Sequence, residues 1–306
     1  MQVEIAVLCP FGADLGLISK AVALAGDAPV RVLVPEEDAT VVASHGVQRI
    51  HTLNKADIPA DEHSFALWLA QKATMWGSTV VLAPATIQLR GILPMLAWKL
   101  QAGLTADCTD LALESGHLLQ TRPAFGNSLM ATIQTRSPVE IATVRPGTFP
   151  AIPKQRKSGN IVAETVSCDM SAVTQTEFRP FTDGTPLGQA QIVIAGGLGI
   201  GSKDGFTKLE TFAKKIGGAV AASRNAVDAG FVPYRCQVGM TGITVCPKIY
   251  IAVGISGAVQ HLAGMSGAET VIAINSDEKA PIFDYADYGI VGNWESVIDK
   301  LLEELS

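Results

Sequence analysis

Short aliphatic runs alternate with segments of helical spacing through the first hundred residues. Residues 3–8 (VEIAVL), 30–34 (VRVLV), 48–52 (QRIHT) and 79–83 (TVVLA) have the strand pattern. Residues 13–25 and 61–75 carry apolar side chains at helical intervals, the second run opening on Asp61 as its cap. The apolar segment 87–100 follows the strand at Val80. This βαβ alternation implies a parallel sheet covered on both faces. From residue 109 to about 149 the runs become shorter, at 111–114, 117–121, 129–134 and 140–144. Ser115-Gly116, Gly126-Asn127 and Ser137-Pro138 separate them, and they are expected to add antiparallel strands to the first sheet.

Residues 150–159 hold two prolines with Lys154, Arg156 and Lys157, and Arg145 lies just upstream; this reads as a solvated basic loop. Residues 181–188, with Gly184, Gly188 and Pro186, read as a linker. A second α/β unit then begins. Strands are expected at 192–195, 219–222, 249–253, 270–274 and 288–291, with helices at 204–216 (capped by Asp204), 257–265 and 294–305. The predicted architecture is two α/β domains, 1–185 and 186–306, the second a Rossmann-like parallel sheet.

Composition narrows the function. Of 306 residues 48% are apolar and 17% charged, which suits buried sheets and a permanent partner subunit. Net charge is −6 without a lysine and arginine cluster, so nucleic-acid binding is not expected. The five cysteines form no C-x-x-C pair, which argues against a disulfide framework, zinc or iron–sulfur site. The amino terminus reads as a strand without a basic leader, and Ser256, Gln260 and His261 interrupt the greasy stretch 249–265. A cytoplasmic protein without membrane insertion is expected.

Four segments carry candidate chemistry. The turn from Gly196 to Lys203 fails as a P-loop, because Gly201 is followed by Ser202-Lys203 in the wrong order. It matches a dinucleotide fingerprint imperfectly, and a tight turn needing glycine explains it equally well. In Val253-Gly-Ile-Ser-Gly-Ala-Val-Gln-His261 a strand runs into a helix, where open α/β sheets bind anions and nucleotides. Its near match to a hydrolase elbow fails at Ala258, and no later histidine completes a triad. Ser223-Arg224 follows a strand directly, as a surface ion pair or a cation aimed into the crevice, on a stretch that looks packed. Val238-Gly-Met-Thr-Gly242 by itself is a turn. His261 by itself is more often structural, and His45, His51, His63 and His117 show no metal-ligand spacing.

Together, residues 221–233, 238–242, 250–265, 273–275 and 280–291 strongly resemble the FAD-binding domain of the electron-transfer flavoprotein α subunit. The likeness is dense over the last 115 or so residues and touches the first domain at 122–133 and 143–147. It implies FAD at the carboxyl ends of the second sheet. Ser223 and Arg224 would lie beside the flavin ring, Arg224 near N5. Thr241 would hydrogen-bond the ring, with Val238, Gly239 and Met240 in the adjacent loop. Ser256, Gly257, Ala258, Val259, Gln260 and His261 would line the pyrophosphate and ribityl chain, His261 reaching toward O2. Asn275 would contact the adenosine half, with Asn293 and Trp294 near the adenine. A fixed arginine and a histidine donor would balance charge added to the ring. The family often has arginine where this chain has Leu198, with Lys203 a candidate replacement, and glutamine where it has Met240.

The resemblance further implies a β subunit as partner, with electrons passed between a flavin-dependent dehydrogenase of acyl-CoA dehydrogenase type and a quinone oxidoreductase or ferredoxin. The protein would be a carrier without catalytic residues or metal. The alternatives are a stand-alone nucleotide-binding oxidoreductase with its own substrate, and an interaction subunit without flavin.

Overall fold

The structure, a computed structural model, describes residues 3–124, 129–153, 159–167, 176–177 and 187–305. The expected turn Gly126-Asn127, the basic residues Lys154, Arg156 and Lys157, Cys168, and most of the expected linker (181–186) lie outside the described residues. The chain divides into two compact units, Met1–Arg179 and Pro180–Ser306.

The first unit runs β1 (Ile5–Leu8), α1 (Leu15–Ala25), β2 (Val30–Pro35), α2 (Ala39–Ala43), β3 (Arg49–Leu53), α3 (Glu62–Met75), β4 (Val80–Pro84), α4 (Ile87–Leu100) and β5 (Gly103–Cys108). There follow β6 (Asp110–Glu114), β7 (His117–Ala124), β8 (Leu129–Gln134), β9 (Glu140–Val144) and β10 (Asn160–Ala163). Seven strands form one parallel sheet in the order β10-β3-β2-β1-β4-β9-β5. Side chains alternate between its faces with period two. Ile5, Val7, Val30, Val32, Val80 and Leu82 join the core under α1, whereas Leu8, Leu33, Val81 and Ala83 join the core of α3 and α4. Burying such a side chain contributes about 1.5–3 kcal/mol.

The expected antiparallel additions are corrected in part. β9 enters the main sheet in parallel, between β4 and β5. β6, β7 and β8 form a separate three-stranded antiparallel sheet. β9 is buried at all five positions, which demands neighbours on both sides, whereas β8 is mostly exposed and suits a sheet with one wet face.

β10 is an edge strand with four exposed residues. The residue after it, Glu164, holds it in place. Its backbone N–H donates to the Thr52 carbonyl at 2.7 Å. Its carboxylate accepts from His51 Nδ1 at 2.7 Å and from the Lys72 ammonium. Burial pushes the His51 pKa down and outweighs the pull of the carboxylate. His51 is therefore neutral at pH 7, and its bond to Glu164 is N–H to carboxylate rather than an ion pair. Burial alone would raise the Glu164 pKa, but hydrogen bonds from Lys72 and His51 prevail and hold it low. Glu164→Gln leaves the shielded Lys72 ammonium without its countercharge and should cost about 2 kcal/mol in urea denaturation. Both groups bind protons more weakly folded than unfolded. Their contribution is full above the ordinary histidine range and lost on acidification, first as His51 protonates and then as Glu164 does. Without the carboxylate that pulls the His51 pKa up, a glutamine variant should lose stability more steeply below about pH 6.5, and it should lack the further loss that Glu164 protonation adds below about pH 4.5.

The second unit runs β11 (Ile192–Gly196), α5 (Lys203–Ile216), β12 (Ala219–Ala222), α6 (Arg224–Asp228), β13 (Ile249–Val253), α7 (Val259–Met265), β14 (Thr270–Asn275), β15 (Tyr288–Val291) and α8 (Trp294–Glu304). All five strands are parallel, in the order β12-β11-β13-β14-β15. Ile194, Ile251, Val253 and Ile274 pack on one face with Phe206 and Leu209 of α5 and Ile298 of α8. Val193, Ala195, Tyr250 and Ala252 face Leu262 and Met265 of α7 on the other. The expected cap Asp204 is corrected: Ser202 caps α5, its hydroxyl accepting from Gly205 N–H at 3.1 Å, and Asp204 stands in the first turn. Ser202 has the extended backbone a cap requires, two residues earlier than expected. No helix among the described residues is long and apolar enough to cross a membrane.

Candidate functional site

The chain leaves β11 toward α5 on one face of the second sheet and leaves the neighbouring β13 toward α7 on the other. Two parallel strands whose exits diverge open a crevice at their carboxyl ends. The register places the ends of β12, β11, β13 and β14 side by side, Gly196 opposite Ala222 and Val253, and Val253 opposite Ile274. Ser223, Gly197, Gly254 and Asn275 therefore share one edge. Backbone bonds fix them there: Ser223 N–H to Gly196 O (2.9 Å), Gly197 N–H to Val253 O (2.8 Å) and Gly254 N–H to Ile274 O (2.9 Å).

The two diverging loops cross in backbone contact. A Cβ on Gly197 would stand 2.0 Å from the Gly254 carbonyl oxygen. Gly254 has φ +62° and Gly257 φ +91°, the left-handed region that glycine tolerates. At Gly201, by contrast, a Cβ would meet nothing within 4 Å. The crossing thus brings bare backbone to the sheet edge while leaving open ground over the turn.

The segment 237–241 lines the β12 side. Val238 N–H donates to the Ala222 carbonyl at 2.9 Å, so the loop continues the sheet edge past β12. Met240 N–H donates to the Gln260 carbonyl at 2.7 Å and ties the loop to α7. Buried Gln237 donates through Nε2 to Thr241 Oγ1 at 3.0 Å, and the Tyr234 hydroxyl donates to the Thr241 carbonyl at 2.5 Å. The Thr241 hydroxyl is held as an acceptor by Gln237, which leaves its own hydrogen for a ligand. Gln237 and Tyr234 were not among the sequence candidates. A glutamine between half-buried Cys236 and buried Val238 was the available signal.

The other candidates divide by what their side chains already hold. Ser256, Ala258, Val259 and Gln260 are exposed at the start of α7, which begins at Val259, two residues later than expected. The Ser256 carbonyl accepts from Ile282 N–H at 3.1 Å, which pins the loop from below. Asn275 donates to the Ile255 carbonyl (2.8 Å) and accepts from Asp277 N–H (3.0 Å), so its side chain braces the β13 exit loop. Asn293 caps α8, accepting from Glu295 N–H at 2.8 Å and Ser296 N–H at 3.2 Å. Trp294 packs among the hydrophobic residues shared with α5 and α8. Arg224 stands at the crevice edge, but its guanidinium pairs with Asp228 at 3.3 Å and both side chains are exposed. The stretch after it is packed only through Ala226, Val227, Phe231 and Val232. Leu198 and Met240 are exposed, at 52% and 62%, so the crevice has an apolar rim.

His261 is 6% exposed. Burial lowers its pKa to about 4, so the ring is neutral at pH 7. Its Nε2 lies 2.9 Å from the Tyr250 hydroxyl. Its Nδ1 is buried. A backbone hydrogen bond with Val238 opposes the fall in pKa. No group of three or more histidine, cysteine or carboxylate side chains among the described residues could hold a metal ion.

Comparison with known proteins identifies the family. Residues 186–266 match the electron transfer flavoprotein FAD-binding domain, and residues 12–169 match the electron transfer flavoprotein domain. The chain belongs to the electron transfer flavoprotein α-subunit family. It is 45% identical over 248 residues to the electron transfer flavoprotein subunit alpha of Thermoanaerobacterium thermosaccharolyticum, covering 79% of this chain and 75% of that protein. It is 37% identical over 295 residues to the subunit of the same name from Pseudomonas aeruginosa, covering 94% of each. Protein FixB of Clostridium saccharobutylicum is 39% identical over 270 residues, covering 86% of this chain and 81% of that one. The second unit of this electron transfer flavoprotein α subunit is thus an FAD-binding domain. The crossed glycine loops fit that cofactor, since a dinucleotide needs close backbone approach.

Proposed function

We propose that the chain works as the α half of a heterodimer with an electron-transfer flavoprotein β subunit, its residues 186–306 forming the FAD domain and 1–185 the other. It carries electrons between a flavin-dependent dehydrogenase of acyl-CoA dehydrogenase type and a quinone oxidoreductase or ferredoxin, and it converts no substrate itself. The observation that carries this reading is the crevice of four strand ends. It offers backbone, hydroxyls and one buried imidazole, and among the described residues nothing arranged as an acid–base pair around a substrate.

When bound, FAD supplies the redox chemistry. The chain's residues bind and orient it. The backbone of 254–258 and the turn at 197–202 would hold the pyrophosphate side, with Ser256, Gly257, Ala258, Val259 and Gln260 along the chain of the cofactor. Ser223, Val238, Gly239, Met240 and Thr241 would border the ring, the Thr241 hydroxyl donating to it. Asn275, Asn293 and Trp294 support the far end through the loops and helix they already brace. Arg224 would add positive charge beside the ring after exchanging Asp228 for it.

Rapid mixing of the FAD-loaded heterodimer with a flavin dehydrogenase tests the carrier role. Bleaching of the flavin is expected only when dehydrogenase and acyl-CoA are both present; bleaching by acyl-CoA alone would make the heterodimer an enzyme. Arg224→Gln should lower the two-electron flavin midpoint potential by roughly 30 mV, since one charge near the ring in a wet site is worth about a tenfold change. Spectroelectrochemical titration measures it, and an unchanged potential would remove Arg224 from the ring environment.

A further inference from the structure

Gln237 is 2% exposed at the foot of the 238–242 loop, and a buried amide calls for a hydrogen-bonding reason. Its backbone extends the sheet edge beside Ala222, and its carbonyl accepts from Ile243 N–H at 2.8 Å, which closes the loop. Residue 242 has to be glycine for this: a Cβ there would stand 2.3 Å from the Gln237 carbonyl oxygen and 3.0 Å from Gln237 Cγ. On its other side the loop lies against α7. Met240 N–H donates to the Gln260 carbonyl, and a Cβ on Gly264 would stand 2.3 Å from Gly239 N. The loop backbone is thus held from both sides, and the freedom left at its tip is that of the Thr241 side chain.

Thr241 is exposed, on the stretch that runs from the end of β12 to the start of α7. A hydroxyl has one hydrogen to give and two lone pairs to offer. Gln237 presents Nε2 to Thr241 Oγ1 at 3.0 Å and takes up a lone pair. An amide N–H has no use for the hydroxyl hydrogen, which meets no acceptor among the described residues. The adjacent Thr241 carbonyl already accepts from the Tyr234 hydroxyl at 2.5 Å. The hydrogen therefore stays on an exposed residue, open to a bound molecule. An acceptor in place of Nε2 would do the opposite: it would draw the hydrogen inward and leave a ligand only lone pairs.

We infer that Gln237 is a positioning residue for the flavin: by donating to Thr241 Oγ1 from beneath the loop it sets the polarity of that hydroxyl, so that Thr241 serves the bound ring as a donor. This rests on the FAD reading of the crevice. It gives a task to a glutamine that lies under the site. Reduction adds electron density to the ring, so a donor stabilises the reduced form more than the oxidised one. A merely structural glutamine would act on folding alone. This one acts on the potential, and only through Thr241.

The test is a double-mutant cycle on the FAD-loaded heterodimer, read by spectroelectrochemical titration. Gln237→Met keeps the length of the side chain and removes the donor. It should change the ratio of oxidised to reduced flavin at fixed potential about threefold to tenfold, a fall of about 15–30 mV in the two-electron midpoint. In the Thr241→Val background there is no hydroxyl to set, and the same change should add nothing to the effect of Thr241→Val. A Gln237→Met heterodimer with the wild-type potential overturns the inference, and so does an equal fall in both backgrounds. If Gln237→Met does not fold, Gln237→Glu takes its place. Its carboxylate draws the hydroxyl hydrogen inward, so its fall should be larger with Thr241 present than in the Thr241→Val background, and equal falls overturn the inference. Failure of the underlying reading is separate and visible first, as a wild-type heterodimer that takes up no FAD at all.

Discussion

Gly197→Ala is expected to raise the FAD dissociation constant by more than about a hundredfold and to destabilise the second unit by about 3 kcal/mol. Alanine itself is at ease in this backbone, with φ −93° and ψ −174°. The whole effect comes from close approach. The new methyl would meet the Gly254 carbonyl oxygen at 2.0 Å, its carbon at 2.6 Å and Ile255 Cα at 2.8 Å. None of these atoms can rotate away, since each belongs to backbone tied into the sheet through Gly254 N–H and the Ile274 carbonyl. The loops at the exits of β11 and β13 must separate, and the crevice they define opens. Gly201→Ala is the informative contrast. Its Cβ would meet nothing within 4 Å, but φ is +82°, so it should cost about 1 kcal/mol of backbone strain and leave the loop crossing intact. Urea denaturation and flavin fluorescence titration of the two variants separate strain from shape.

FAD removal is expected to have the other large effect. A ligand that binds only the folded state stabilises it by about 4 kcal/mol at a thousandfold excess over its dissociation constant. For a unit of this size that is a fall in melting temperature of more than about 10 °C on stripping the flavin, by differential scanning calorimetry. Gly197→Ala should melt at nearly the same temperature with and without added FAD, because it has lost the site that couples the two.

The strands that build the second sheet were legible in the sequence because each is a short, largely aliphatic run followed directly by glycine or serine. The positions 219–222, 249–253 and 288–291 were read without error. β5 and β10 were not read. Gly103–Cys108 contains glycine, threonine and aspartate and carries an irregular register at Thr105 and Cys108. Asn160–Ala163 is exposed throughout and is held by Glu164, whose partners His51 and Lys72 lie about a hundred residues away in the chain. Neither strand is specified by its own pattern, so no local reading finds it. The site divides in the same way. The segments at Ser223, Val238–Thr241 and Ser256–His261 were singled out by their resemblance to the family rather than by their residues alone. The crossing of Gly197 with Gly254 and the bond between Tyr250 and His261 are tertiary facts. So is the pairing of Arg224 with Asp228, which separates a surface arginine from one already fixed over a cofactor.

FAD content is the most direct test of the central claim. The chain, produced with its partner β subunit and reconstituted with excess FAD, should retain one FAD per α chain after gel filtration and show a flavin absorption spectrum. Gly197→Ala, carried through the same preparation, should retain almost none. A folded wild-type heterodimer that emerges without flavin would contradict the account.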